Sequence, residues 1–147
     1  MFYKKLTSIF LLLIISTILF SLDKKMDQTI KINIKINNRV FEAELLNNPT
    51  SKKFLKLLPL TLDMKDLNNN EKYFYLDEKL PVKTENFAII NSGDIMIYGD
   101  NCLVLFYKSF NTTYKYTRIG RIVNIDELLD TIGSGTVKVT FYKEESK

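Results

Sequence analysis

From residue 30 onward the chain alternates: Ile30, Ile32, Ile34 and Ile36 are separated by Lys31, Asn33 and Lys35. A period of two puts one face of a strand against a core and the other in water. Asn37 and Asn38 follow, and asparagine tolerates the positive φ that a tight hairpin turn requires. The stretch RVFEAEL (39–45) is therefore predicted to return antiparallel, with Phe41, Ala43 and Leu45 inward and Glu42 and Glu44 outward. The period then changes. Asn48 can cap a helix and Pro49 suits its first position, with Phe54, Leu57 and Leu58 as the apolar stripe before Pro59. Alternation resumes in LTLDMKDL (60–67), asparagines 68–70 turn the chain, and EKYFYL (71–76) pairs back.

The second half repeats this logic. NSGD (91–94) reads as a turn, IMIY (95–98) as a strand and GDN (99–101) as a tight turn. CLVLFY (102–107) is nearly all apolar, which predicts a strand buried on both faces. After a polar loop, TYKYTRIGRI (113–122) runs extended. Asn124 is the expected cap of a helix over IDELLDTI (125–132), with Glu127 in the capping-box position, Gly133 as the stop, and Ile125, Leu128, Leu129 and Ile132 as its inner stripe. TVKVTFY (136–142) closes the chain as a last strand. About eight strands and two short helices predict a mainly β fold, a closed antiparallel β-barrel whose ends the helices plug.

The first residues are a different material. Lys4 and Lys5 precede residues 6–22, which carry no charge until Asp23. A basic start before an apolar run is the layout of an export signal, and the run also falls near the lower length limit for a membrane-spanning helix. The expected organisation is a signal peptide or N-terminal anchor over 1–22, a linker over 23–28, one domain over 29–142 and a polar tail over 143–147. The domain would then be secreted or periplasmic, or tethered to the outer side of the cytoplasmic membrane. Removing the leader leaves 19 basic against 17 acidic residues, spread without clustering. That is a solvated surface and not the basic stripe of a nucleic-acid binder. Cys102 is the only cysteine, so no internal disulfide supports the fold and the core must hold it alone.

The ordered segments NPT…LLPLTLDM, LNNNEKYFYL, SGDIMIYG, CLVLFY and YTRIGRI, with a closing strand after GSG, resemble the bacterial cyclophilin-like domain family, from Thr29 to Tyr142. The resemblance implies a cyclophilin-like barrel. True cyclophilins are peptidyl-prolyl isomerases that carry a catalytic arginine, a Gln-Gly-Gly-Asp-type segment and a downstream histidine and tryptophan. This chain has no His and no Trp, offers Met64 and Lys65 where the arginine would be sought, and has no Gln-Gly-Gly segment. The implied likeness is of fold, with isomerase activity weak at most.

Other chemistry narrows on residue types. With no histidine and one cysteine, zinc and copper sites of the usual kind and Ser-His or Cys-His nucleophile pairs are excluded. No cofactor is expected. Asp63 with Asp66, and Asp94 with Asp100, read as solvated turn residues, and Gly133 to Gly135 as a helix cap and linker. There remain Tyr98, Phe106, Tyr107, Tyr114 and Tyr116 near Arg118 and Arg121. Tyrosine supplies apolar area with a hydroxyl, and arginine a fork matched to carboxylate or carbonyl oxygens. Alternation puts Tyr114, Tyr116 and Arg118 on one face, which makes them the candidate wall of a groove for a peptide or small molecule, with Arg118 an exposed strand residue that contacts the ligand. Gly120 breaks the alternation, so Arg121 is expected to point elsewhere and to pair with Asp126 or Glu127. A divergent prolyl isomerase and a non-catalytic interaction module are the alternative functions.

Overall fold

The computed structural model describes residues 28–144. The expected leader or anchor, most of the expected linker and the last tail residues lie outside the described residues. The chain runs β1 (Ile30–Ile36), β2 (Arg39–Leu45), α1 (Pro49–Leu55), β3 (Leu60–Leu67), β4 (Glu71–Tyr75), β5 (Glu85–Asn86), β6 (Ile89–Ile90), β7 (Asp94–Tyr98), β8 (Cys102–Phe106), β9 (Phe110–Asn111), β10 (Lys115–Ile122), α2 (Leu128–Ile132) and β11 (Val137–Tyr142). The strand order β2-β1-β11-β3-β4-β8-β7-β10 closes on itself because β10 also pairs with β2. The result is an eight-stranded antiparallel barrel with two helices, as the periodicity predicts.

The two early turns form where asparagine permits them. Asn37 sits at φ 52° with Ile36 paired to Arg39, and Asn68 and Asn69 sit at 54° and 55° between β3 and β4. One face of each strand then fills the barrel. Ile34, Ile36, Leu45, Met64, Ile95, Leu103, Leu105, Val139 and Phe141 are completely buried. Helix α1 adds Phe54, whose ring meets Phe141 edge-on at 5.6 Å. Its start is fixed from the sequence: the Asn48 side chain accepts from Ser51 N at 2.8 Å and donates to Arg118 O, and Ser51 Oγ donates to Ile119 O at 2.9 Å. Strand β8 is buried on both faces along its whole length.

Helix α2 departs from expectation. It is confined to Leu128–Ile132, it begins from Glu127 in a left-handed conformation, and it has no side-chain cap. Asn124 Oδ1 instead accepts from Asp126 N at 2.9 Å, a local turn that competes with helix entry. Only Leu128 and Ile132 are buried, while Ile125 and Leu129 are exposed. A single apolar pair faces the core because the helix is little more than one turn long. Glu127 pairs with Arg39, so Arg121 forms no ion pair with Asp126 or Glu127 among the described residues. Arg121 stands exposed on β10, in register with Glu44 and Asp94.

Gly120 does mark an irregularity. The register of β10 against β7 shifts between Arg118 and Gly120. On its other side Gly120 pairs with Leu45 of β2, where a Cβ would stand 2.4 Å from Glu44 O. The barrel therefore closes at a position where two backbones approach too closely for any side chain.

Candidate functional site

The site follows from what alternation does to the other face of the strands. On β4, β8, β7 and β10 the outward positions are also apolar or aromatic, so the barrel wall carries a second layer. Ile90, Met96, Cys102, Val104, Phe106 and Tyr116 form a separate buried cluster there, with Tyr73, Phe87 and Phe110 packed on it. Cross-strand register sets the rows: Tyr73 lies opposite Val104 and Val104 opposite Met96, while Tyr75 lies opposite Cys102 and Cys102 opposite Tyr98. The short pair β6 and β9, with Ile90 opposite Phe110, contributes the loop-side wall.

This layer is not filled. It leaves a half-open cavity of about 600 Å³ lined by five tyrosines, Tyr73, Tyr75, Tyr98, Tyr114 and Tyr116, with Glu71 among them. The rings brace one another, most of them edge to face and Tyr98 tilted against Tyr116. Tyr98 lies 6.1 Å from Tyr114 and 5.6 Å from Tyr116, Tyr73 lies 5.9 Å from Tyr75, and Tyr116 rests on Phe106 at 5.4 Å. Such contacts fix ring orientation and leave faces and hydroxyls for a guest. Tyr116 is buried, whereas Tyr98 and Tyr114 are exposed at the rim.

Glu71 is the charged member of the lining. Its residue exposure is 8%. Burial, helped by the nearby Asp66 charge, pushes its carboxyl up to about 7. The neighbouring groups do not titrate there. Burial lifts the Cys102 thiol to about 11 and the Tyr116 hydroxyl to about 12, in both cases with a contribution from the Glu71 charge.

The barrel interior behind Glu71 holds the opposite arrangement. Lys72 is wholly buried, and its Nζ donates to Asp66 Oδ2 at 2.6 Å, Gly133 O at 2.9 Å and Gly135 O at 2.7 Å. The Tyr107 hydroxyl also donates to Asp66 Oδ2, at 2.7 Å. Burial alone would raise the Asp66 pKa, but the hydrogen bonds from Lys72 and Tyr107 outweigh it and hold the carboxyl below its usual value. Every donor of the ammonium has a partner, which is what allows a lysine inside a barrel.

The residues singled out from the sequence are thereby divided. Tyr98, Tyr114 and Tyr116 line the cavity, and Phe106 packs beneath it. Tyr107 belongs to the interior core and serves Asp66. Arg118 lies in a second crevice of about 500 Å³ with Phe87, Lys83, Asn48 and Thr50. Its guanidinium stacks on Phe87 at 4.5 Å and bonds Asp94 Oδ2 at 3.1 Å. The face shared by Tyr114, Tyr116 and Arg118 is thus not one wall, because Asp94 and Phe87 draw the arginine away. Nor is Arg118 an exposed strand arginine, since a third of its side chain is accessible. Asp66 and Asp94 likewise differ from solvated turn residues. Asp94 is buried between Arg118 and the Asn91 amide, whereas Asp63 is exposed and Asp100 half-buried, paired with Lys138 and Lys79.

Sequence reasoning passed over Glu71, Tyr73, Tyr75 and Phe110. The signal for the first three was present, because alternation in EKYFY sets Glu71, Tyr73 and Tyr75 on one face. Met64 is in the barrel core and Lys65 is exposed on β3 opposite Tyr73. A family model described as the cyclophilin-like family matches residues 34–142, and no curated protein matches the chain.

Proposed function

The chain belongs to the cyclophilin-like family, and from that premise we propose that it is an exported barrel that binds a peptide side chain or small molecule in the tyrosine-walled cavity, without isomerase catalysis as its role. The observation that carries this reading is the cavity itself. It is about 600 Å³, within the range of small-molecule sites, and it is mostly apolar with a few polar groups converging in it. Its five phenol rings offer large contact area that is already ordered by edge contacts, so little side-chain entropy is lost on binding. Against catalysis stands the residue inventory: among the described residues no arginine lines the cavity, and the chain has no histidine.

The test uses a short peptide, succinyl-Ala-Ala-Pro-Phe-p-nitroanilide, titrated by tyrosine fluorescence and by isomerisation rate. Binding is expected to weaken about tenfold in Tyr98→Ala, which removes a rim ring worth roughly 1.4 kcal/mol of contact. The isomerisation rate should lie at least about 100-fold below that of a true cyclophilin, since a missing electrostatic catalytic group commonly costs that much. Loss of the Tyr98 effect, or a rate near that of a cyclophilin, contradicts the reading.

A second reading rests on one atom. Arg118 Nε is buried without a hydrogen-bond partner among the described residues, and the accessible third of the side chain lines the neighbouring crevice, where the guanidinium can meet a carbonyl or carboxylate. That crevice is the binding site if Arg118→Ala, and not Tyr98→Ala, removes peptide affinity.

Export is supported by the uncharged stretch at residues 6–22 behind Lys4 and Lys5. Cell fractionation should recover the domain outside the cytoplasm. Full-length chain found soluble in the cytoplasm refutes it.

A further inference from the structure

We infer that the ligand taken by the tyrosine-walled cavity carries an organic cation, an ammonium group held between phenol rings and the Glu71 carboxylate. This rests on the reading that the cavity is the binding site, and it reverses the charge expected when Arg118 was its candidate anchor. Three features of the cavity argue for it together.

The first is the wall. Tyr73, Tyr75, Tyr98, Tyr114 and Tyr116 surround one space, and the faces of phenol rings attract cations through their quadrupole, most strongly where water is excluded. The second is charge: among the described residues no lysine or arginine lines the cavity, so none of them repels a cation there. Lys65, in register with Tyr73, is exposed and is not part of the lining.

The third is Glu71 itself. The residue is 8% exposed, no ion pair reaches its carboxylate from the described residues, and its oxygens are not among the buried unpartnered atoms, so the carboxylate opens onto the cavity. Lys72 is adjacent in sequence, but alternation turns it inward, where Asp66 and the carbonyls of Gly133 and Gly135 occupy its donors. A carboxylate on the floor of a largely apolar cavity is only partly hydrated, and an arriving ammonium supplies a counter-charge.

The groups around Glu71 fix how binding depends on pH. Asp66 on β3 is held ionised by Lys72 and Tyr107, while Cys102 on β8 and Tyr116 on β10 stay neutral near neutrality. Glu71 is left as the group that changes charge near pH 7. The ionised form attracts the cation, so affinity is full above about 7 and falls as the pH drops through that value.

The experiment compares choline with 3,3-dimethylbutan-1-ol, its neutral carbon isostere, by NMR titration of the tyrosine ring resonances at pH 8 and pH 5.5. The peptide used above serves as a third probe. Choline should bind at least about tenfold tighter than the alcohol at pH 8, and Glu71→Gln should shrink that difference several-fold and abolish its pH dependence while the fold persists. Equal binding of choline and alcohol overturns the cation inference and leaves the cavity reading standing. The same holds if the peptide alone perturbs the tyrosines. If none of the three probes perturbs them, both readings fall.

Discussion

Replacing Lys72 by methionine should destabilise the protein by about 3 kcal/mol, toward the lower end of what breaking a buried ion pair costs. The side chain is of similar length and apolar, so packing is nearly conserved and the loss is electrostatic. Asp66 would keep only the Tyr107 hydroxyl and the Asn69 amide, and the carbonyls of Gly133 and Gly135 would lose their shared donor. These two carbonyls lie in the exposed loop between α2 and β11 and can turn to water, which keeps the cost from rising further. Urea denaturation should show a lower midpoint with an unchanged slope, the mark of lost stability without a change in compactness. Replacing Asp66 and Tyr107 as well, by leucine and phenylalanine, should recover much of the loss, because a buried polar set removed whole costs less than one broken in half. A Lys72→Met protein as stable as the wild type would mean that the interior ammonium is not what ties β3, β4 and the GSG loop together.

Gly120→Ala should cost about 2–3 kcal/mol by steric overlap at the barrel seam. A methyl group at that position meets Glu44 O at 2.4 Å, Leu45 Cδ2 at 2.7 Å and Leu45 Cα at 3.0 Å. Two of those atoms are backbone of β2, so relief requires β10 and β2 to separate where they close the barrel. Gly99→Ala is the informative comparison. Gly99 has φ +61° and open space around it, so only the left-handed conformation is penalised, at about 1 kcal/mol. Thermal melts of the two variants should therefore differ clearly. Equal melting temperatures would show that the seam yields without cost.

What the sequence discloses depends on how local each determinant is. The β1–β2 hairpin is legible because its isoleucines alternate and its turn is two asparagines, all within one short stretch. The strands around Asn68 and Gly99 are legible for the same reason. The segment from Asp77 to Ala88 carries no period, and β5 and β6 are held there and just beyond it by non-local partners, strands β10 and β9 and the cluster that buries Ile90. Helix α2 was overestimated because its apolar residues match a helical period, while the Asn124 turn and the left-handed Glu127 begin it late.

The site was half legible. Tyr98, Tyr114 and Tyr116 were identifiable from their strand positions, but the walls they share come from β4 and from Phe110, which reach them only through the order of strands in the barrel. The destination of Arg118 depended on Asp94 across a bulge and on Phe87 in the unpatterned segment. Lys72 runs against the rule that lysine faces water, and only the positions of Asp66 and the GSG carbonyls explain it.

The central claim, that the cavity on the outer wall of the barrel and not the Arg118 crevice receives the ligand, is tested most directly by ring NMR. Protein labelled on tyrosine and phenylalanine would be titrated with the proline tetrapeptide. The account predicts that Tyr73, Tyr98 and Tyr116 shift while Phe87, the ring beneath Arg118, does not. Shifts at Phe87 with the tyrosines unmoved would contradict it.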